Sequence, residues 1–363
     1  MKRRALLAPD KFKGTFSASQ VAEHLAAGFE AAGWSAEPLP VGDGGEGTAH
    51  ALLAARGGRM VGADAHDPLD REIRAEFALL ADGTTAVVEV AAASGLWRVA
   101  ADERDAVRAS TRGTGELIAA AVAHGATTVI VAAGGSATTD GGRGAIEALG
   151  SDAACVQLVV ACDVQTPWDR AAEVFGPQKG ATAPQLVAEL RIRLERLAGI
   201  APRDPRGVPM TGCAGGLSGG LWAWCGAKLV PGAELVLDAV GFDAHARAAD
   251  VVVTGEGALD SQTLAGKLVA AVAARSGASR TPCDAVVGRN SATRDDQRVL
   301  GLRSVIEAGT ADQLRAAASS IVARAEHCDT APNLDRELCK RLHPVAGYDI
   351  FPAVTTRDSR SQG

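Results

Sequence analysis

Residues 128–142 read TVIVAAGGSATTDGG and join a short apolar run to a loop rich in glycine. The run at 128–131 is typical of a buried strand, and the loop at 134–142 carries the carboxylate of Asp140. Glycines allow backbone N–H groups to approach an anion closely, and a helix that starts after the loop adds about half a positive charge. The stretch therefore predicts a strand, an anion-binding loop and a helix in succession, as in an α/β protein.

The same design occurs at two other places in the chain. Residues 43–48 read DGGEGT after a predicted strand at 35–40, and residues 255–260 read GEGALD after one at 250–254. A carboxylate in such a loop repels phosphate unless it holds Mg²⁺ or accepts a proton from the substrate. For each loop alone, the alternative is a tight turn whose carboxylate caps a helix. Three such loops in one chain favour Mg²⁺-dependent phosphoryl transfer over dinucleotide binding.

Strand-like runs and helical patterns alternate for most of the length, so the predicted fold class is α/β. Ser17 and Gln20 have the spacing of a capping box, which predicts a helix start. The runs 73–80 and 85–90 flank an Asp82-Gly83 turn and predict an antiparallel strand pair. Additional helices are predicted at 50–55, 114–124, 184–197 and 267–276, and additional strands at 6–8, 156–161 and 285–287.

The predicted antiparallel strand pair at 73–80 and 85–90 interrupts the alternation of strands and helices that is typical of a parallel sheet. We therefore predict a domain boundary near residue 70. A Rossmann-like domain with a parallel sheet is expected from residues 1–70 plus 238–327, at both ends of the chain. An inserted α/β domain with a mixed sheet is expected from residues 71–237, and the site is expected in the cleft between the two. Residues 328–363 match no recognised pattern and are predicted to form a disordered or lineage-specific tail.

The composition limits the class of protein. The 363 residues include 37 Lys and Arg against 43 Asp and Glu, for a net charge of −6, without a block of basic residues. This balance argues against partners such as nucleic acid or an anionic membrane. The apolar runs fall far short of the ~20 residues that span a bilayer, and the seven cysteines form no CxxC pair. We therefore expect a cytoplasmic protein with reduced thiols.

Three lysines beside glycines are candidates to bind an anionic group: Lys13, Lys179 and Lys267. For a lone lysine, the alternative is a solvated surface charge. The chain contains no GxxxxGK[ST] motif, so a kinase hypothesis cannot rest on a P-loop. No GxGxxG follows the first predicted strand, which weakens the case for a dinucleotide-dependent oxidoreductase.

The order of the motifs resembles one family closely. The chain is similar to the bacterial type II glycerate kinases over about residues 4–325, and this resemblance implies a two-domain α/β enzyme. It also implies transfer of the ATP γ-phosphoryl group to D-glycerate, usually at the 2-hydroxyl, with Mg²⁺. The motifs that carry the resemblance are APDKFKG at 8–14, DGGEGT at 43–48, GGSATTDGG at 134–142, ACDV at 161–164, VFGPQKGA at 174–181, AGGL at 214–217, TGEG at 254–257 and DSQT at 260–263.

These motifs give the site hypothesis, in which ATP and Mg²⁺ are the cofactors and D-glycerate is the acceptor. The candidate catalytic residues are Asp10, Lys13, Asp43, Asp163, Lys179, Asp260 and Lys267. The candidate nucleotide-binding residues are Gly44, Gly45, Gly134, Gly135, Ser136, Gly215, Gly216, Gly255 and Gly257. The candidate metal ligands are Asp140 and Glu256, and either Asp10 or Asp43 is a candidate to orient the acceptor hydroxyl.

The chain departs from the family pattern in two loops that flank the predicted site. Residues 165–170 read QTPWDR where the family usually has Asn-Pro-Leu and further glycines, and the segment between Gly150 and Val156 is short. These differences leave three alternatives open: formation of 3-phosphoglycerate, a different small hydroxy acid as acceptor, and a catalytically inactive ligand-binding relative. A monomer and a homodimer are both compatible with the sequence.

Overall fold

Strands and helices alternate along the residues that this computed structural model describes, which are 2–12, 14–260 and 268–330. The strands are β1 (Arg4–Pro9), β2 (Ser35–Pro38), β3 (Gly58–His66), β4 (Glu72–Leu80), β5 (Thr85–Glu89), β6 (Thr128–Ala132), β7 (Gln157–Cys162), β8 (Lys228–Pro231), β9 (Val251–Glu256), β10 (Cys283–Val287) and β11 (Ser304–Glu307). The helices are α1 (Ala18–Ala31), α2 (Thr48–Arg56), α3 (Val90–Ser94), α4 (Arg112–Ala123), α5 (Arg143–Leu149), α6 (Ala171–Phe175), α7 (Pro184–Ile200), α8 (Leu217–Cys225), α9 (Gly232–Ala239), α10 (Phe242–Arg247), α11 (Leu268–Ala278), α12 (Arg294–Val299) and α13 (Ala311–Thr330). Among these helices, none combines the length and apolar character needed to cross a membrane.

The first sheet combines the two ends of the described chain. Its strand order is β11-β10-β9-β1-β2, and every neighbouring pair is parallel. Helices α1 and α13 cover one face, and their contact depends on Gly28, where a Cβ would lie 2.4 Å from the carbonyl oxygen of Arg315. The predicted start of α1 is confirmed, because the Ser17 hydroxyl accepts a hydrogen bond from the Gln20 N–H at 3.2 Å and the Gln20 side chain accepts one in return.

The second sheet is formed by the middle of the chain in the order β3-β4-β5-β6-β7-β8. Strands β3, β4 and β5 pair antiparallel, whereas β5 to β8 pair in parallel. The predicted turn between β4 and β5 is confirmed, and the Asp82 carboxylate accepts hydrogen bonds from the N–H groups of Thr84 and Thr85 at 2.8 Å each. The predicted α/β fold class, with a parallel sheet from both chain ends and a mixed sheet between them, is confirmed.

The chain passes from the first sheet to the second between β2 and β3. Strand β3 pairs with β4 over nine residues, so the second sheet begins at Gly58, and the predicted domain boundary near residue 70 lies in the turn between these two strands. Most residues of β3 are half-buried or exposed. Because neither face of the strand is well buried, its sequence lacks the alternation of apolar and polar residues that predicts a strand. The predicted return at residues 237–238 falls inside α9.

One hydrophobic core extends between the two sheets and fixes how they face each other. Helices α2, α9 and α11 contribute to this core, which contains Leu6, Ala8 and Val252 from the first sheet and Val87, Ile130 and Val159 from the second. In this arrangement the carboxyl ends of β1 and β9 come close to those of β6 and β7. Loops from both sheets therefore meet at one cleft.

Candidate active site

A cavity of about 520 Å³ lies in this cleft, where the central strands of both sheets end. In open α/β sheets, ligands bind in the crevice outside the carboxyl ends of the strands. The cavity brings together nine of the predicted site residues, which come from loops far apart in sequence. They are Asp10, Asp43, Gly45, Gly134, Gly135, Asp163, Glu256, Gly257 and Asp260.

A second cavity of about 360 Å³ adjoins the first. The two share Gly135, Asp163 and Phe175 among the residues of their common wall. Two more predicted residues, Ser136 and Lys179, line the smaller cavity. The cleft is therefore divided into two compartments, and the Asp163 carboxylate belongs to the wall between them.

The glycine-rich loops at 43–48 and 134–142, which follow strands of different sheets, touch through their backbones. A Cβ built on Gly134 would lie 2.6 Å from the Cα of Gly45, a distance that real Cβ atoms do not reach. Glycine is required at this contact for lack of space. The predicted loops therefore meet beside the larger cavity, where the Gly45 N–H donates a hydrogen bond to Asp43 Oδ1 at 3.1 Å.

Asp10 follows β1 and is nearly buried at the floor of the larger cavity. Burial raises the pKa of Asp10 to about 7, and the like charges of Asp43 and Glu256 add to this rise while Lys11 opposes it. The Lys11 ammonium lies 3.7 Å from Asp10 Oδ1 and 4.0 Å from Asp43 Oδ1, and it donates a hydrogen bond to the Glu46 carbonyl at 2.8 Å. Negative charge exceeds positive charge around this cavity.

Lys179 is buried beside the smaller cavity, in the turn at 177–179. Its ammonium donates hydrogen bonds to Ser136 Oγ at 3.0 Å and to the Thr138 carbonyl at 2.6 Å. Burial lowers the pKa of Lys179 to about 8, and the nearby carboxylates of Asp140 and Asp163 limit the fall. A cation fixed beside a small cavity is suited to bind an anionic group.

Asp140, a predicted metal ligand, lies outside both cavities. Its carboxylate oxygens accept hydrogen bonds from the surrounding chain. Its Oδ2 accepts hydrogen bonds from the N–H and hydroxyl of Thr111 at 2.9 and 2.8 Å and from the Gly144 N–H at 3.2 Å. Its Oδ1 accepts one from the Gly142 N–H at 3.1 Å. The carboxylate therefore stabilises the loop and the start of α5, which is the capping alternative for this motif.

Several predicted nucleotide-binding glycines are sites of close packing between loops. A Cβ on Gly215 would lie 2.0 Å from the Thr138 carbonyl oxygen, and one on Gly216 would lie 3.0 Å from the Cα of Gly141. Gly44 similarly contacts the start of α9, and Gly255 contacts the carbonyl of Val286 in β10. The structure places these four behind the cavity walls, where they hold the loops in position.

Lys13 and Lys267 lie outside the described residues, as does the stretch 261–266 between Asp260 and Lys267. Within the described residues, no group of three or more His, Cys, Asp or Glu side chains is arranged to hold a metal ion. The carboxylates of the larger cavity surround its space without converging on one point.

Two cationic residues of the site, Lys11 and Arg104, are not among the site residues predicted from the sequence. Lys11 stands in the motif APDKFKG, where Lys13 was selected because a glycine follows it. Arg104 lines the smaller cavity and donates a hydrogen bond from Nη1 to the Gln178 carbonyl at 3.4 Å. It stands in the charged run DERD at 102–105, a pattern that is typical of a solvated surface and gives no signal for a site.

Comparison with known proteins identifies the family. The sequence profile of the Glycerate kinase family matches residues 5–154 and 151–328. The chain belongs to the glycerate kinase family. It is 40% identical to the glycerate kinase of Bacillus subtilis over 82% of this chain and 87% of that protein. It is 36% identical to the glycerate 2-kinase of Escherichia coli over 74% and 81% of the two chains.

A solved structure of the family supports the same assignment. A candidate glycerate kinase 2 from Salmonella typhimurium LT2 superposes with a TM-score of 0.78 at 31% sequence identity. The match covers 91% of this chain and all of that chain. The resemblance seen in the motifs is therefore confirmed, and the fold of the family includes both sheets described above.

Proposed function

We propose that this protein transfers the γ-phosphoryl group of ATP to D-glycerate and releases 2-phosphoglycerate and ADP. Membership of the glycerate kinase family supports glycerate as the acceptor, and the name of the Escherichia coli relative favours the 2-hydroxyl. The observation that carries the proposal is the charge of the two cavities. Carboxylates and glycine amides surround the larger one, whereas Lys179 and Arg104 line the smaller one, with Asp163 between them.

The larger cavity suits the phosphates of ATP together with Mg²⁺. The backbone amides of Gly134 and Gly135 are the groups that would contact phosphate oxygens. Carboxylate oxygens are preferred ligands of Mg²⁺, and the mutual repulsion that helps to raise the pKa of Asp10 is what a bound cation relieves. Glu256 and Asp260 remain the candidates nearest to this role. Mg²⁺ keeps several waters and binds substrate phosphates, so it requires only one or two protein carboxylates.

Bound Mg²⁺ would neutralise charge on the β- and γ-phosphates, which leaves positioning and proton transfer to the chain. Phosphoryl transfer needs the attacking hydroxyl in line with the γ-phosphate. Asp163 lies in the wall between the cavities, and its Oδ2 is 3.7 Å from the position of a Cβ on Gly134. We assign it as the base that orients the acceptor hydroxyl and accepts its proton.

The proposal also covers the division of the chain into domains and the cellular compartment of the protein. We propose that each sheet is the core of one domain and that the cleft between the domains holds both substrates. Cys155, Cys162, Cys213, Cys225 and Cys283 are free thiols. Together with an ATP substrate, they favour a reducing compartment, the cytoplasm.

An enolase-coupled assay with the purified protein, ATP, Mg²⁺ and D-glycerate tests the proposal. Enolase converts only the 2-phosphate, so formation of phosphoenolpyruvate without a mutase shows phosphorylation of the 2-hydroxyl. ADP release is followed in parallel, with and without glycerate. Glycerate-dependent ADP without phosphoenolpyruvate would show that the product is 3-phosphoglycerate. No glycerate-dependent ADP would refute the activity and direct attention to other hydroxy acids or to a binding role.

A further inference from the structure

The guanidinium of Arg104 is the unexplained charged group of the cleft. Its Nε is buried and has no hydrogen-bond partner among the described residues. Its one hydrogen bond there is the long contact with the Gln178 carbonyl, which is neutral. Buried donors are nearly always paired with protein, water or ligand, because an unpaired donor loses its hydration without compensation. The unpaired donor therefore indicates an acceptor other than the described residues.

Other arginines of comparable burial are paired. Arg275 donates to Asp243 at 2.8 Å and to Asp238 at 2.7 Å, and Arg98 and Arg193 donate to the carbonyls of Ala92 and Val107. No Asp or Glu of the described chain forms an ion pair with Arg104. A guanidinium presents donors in a planar fork that matches a carboxylate. The missing partner is thus an anion with the geometry of a carboxylate.

The backbone fixes Arg104 beside Lys179. A Cβ on Gly180 would lie 2.3 Å from the Arg104 carbonyl oxygen, so the segment of Arg104 packs directly against the turn that carries Lys179. Ala106 anchors the same segment in a core with Trp168 and Leu190. Two of the three donors of the Lys179 ammonium are used by Ser136 and Thr138, which leaves one for another acceptor. Two cations are therefore held at one side of a cavity of about 360 Å³.

We propose that Arg104, assisted by Lys179, binds the carboxylate of the acceptor acid and so selects hydroxy acids over uncharged polyols. This inference rests on the proposed function and identifies the part of the substrate held in the smaller cavity. With the carboxylate bound at this end, the hydroxyl groups of a short acid reach toward Asp163 at the wall shared with the nucleotide cavity. Trp97 and Phe175 line the same cavity and limit the length of the acid.

The test compares Arg104→Gln with the wild type in steady-state kinetics. We expect the KM for D-glycerate to rise by about 10- to 100-fold, the effect of losing a charge-assisted pair, while the KM for ATP stays unchanged. With glycerol as a slow alternative acceptor, the two proteins should have equal rates, because glycerol has no carboxylate. Arg104→Lys keeps the charge and loses the fork, so its KM for glycerate should lie between the two.

Arg108→Gln is the matched control, because Arg108 is exposed and lies four residues along the same loop. It should have wild-type kinetics. A KM for glycerate in Arg104→Gln equal to that of this control would overturn the proposal, as would a rise confined to the KM for ATP. The melting temperature shows whether Arg104→Gln has lost its fold. If it has, the KM for glycerate of Arg104→Lys is compared with that of Arg108→Gln in its place.

The inference can fail separately from the proposed function. If the wild type releases no ADP with glycerate, its binding of D-glycerate and of glycerol is measured directly by calorimetry without nucleotide. Binding of glycerate that is lost in Arg104→Gln and retained in Arg108→Gln would support the carboxylate site even without kinase activity. Equal binding of glycerate by both variants would overturn it.

Discussion

Gly134→Ala tests the contact between the two glycine-rich loops on which the larger cavity depends. The new methyl carbon would lie 2.6 Å from the Cα of Gly45, whereas an ordinary contact is 3.4 Å or more, so the loops must separate by at least 0.8 Å. Gly134 is not among the glycines with positive φ, so alanine fits its backbone and the substitution changes only the contact. The loops belong to different sheets, and their separation would widen the cavity at the expected phosphate position.

The displacement allows two magnitudes to be estimated. Overpacking of a tight contact costs about 1–3 kcal/mol of the free energy of unfolding, measured by urea denaturation. A shift of about 1 Å in groups that position a substrate costs on the order of 10²-fold in kcat/KM. We expect the loss of kcat/KM to appear when ATP is varied, because the loops surround the larger cavity.

Gly199→Ala is the control for a glycine-to-alanine change. Gly199 lies in α7, and a Cβ there would have no atom within 4 Å. This variant should keep wild-type activity and gain about 0.5–1 kcal/mol in the free energy of unfolding, because alanine favours a helix. If Gly134→Ala matched this control in both stability and kcat/KM, the reasoning that the two loops define the phosphate site would be refuted.

Three further outcomes are expected. Asp163→Asn should lower kcat by on the order of 10²- to 10⁴-fold with little change in melting temperature, and near-native turnover would exclude Asp163 as the base. Because burial lowers the pKa of Lys179 to about 8, its ammonium is lost as pH rises through that value, and kcat/KM for glycerate should fall there. Lys179→Arg, which stays charged, should lack this alkaline limb; a flat wild-type profile would contradict the prediction. Asp140→Ala should lower the free energy of unfolding by about 3 kcal/mol or more, because four hydrogen bonds are lost. Its dependence on Mg²⁺ should stay the same, and a large change in that dependence without loss of stability would restore Asp140 as a metal ligand.

The parts of the site that follow strands could be predicted from the sequence, because strand, glycine loop and helix leave a local pattern. The apolar run before Gly134 and the glycines around Asp43 mark two strand ends, and both loops reach the same cavity. What local pattern does not determine is where a carboxylate in such a loop points. Asp140 and Asp163 both follow strands of the second sheet. Asp140 accepts hydrogen bonds from the backbone of its own loop, whereas Asp163 lines both cavities.

Lys179 is predicted from the glycine beside it, whereas Lys11 and Arg104 could not be predicted because their positions depend on packing between distant segments. Arg104 is separated from Lys179 by 75 positions and reaches it because Gly180 leaves space for its backbone. In the sequence, Arg104 has acidic neighbours on both sides and resembles a surface residue. Lys11 and Lys13 are equally plausible by composition, and only the course of the chain after β1 brings Lys11 between Asp10 and Asp43.

The unusual loop at 165–170 has a different role from the one that its sequence first indicates. Its Trp168 is fully buried, donates from Nε1 to the Leu194 carbonyl at 3.0 Å, and packs in the core that also anchors Ala106. Of the described residues that line the two cavities, none comes from 165–170. The loop therefore supports the smaller cavity from behind. A different acceptor would require changes in the residues that face the cavity, and the cations and the carboxylate present there, Arg104, Lys179 and Asp163, are the groups that a small hydroxy acid such as glycerate needs.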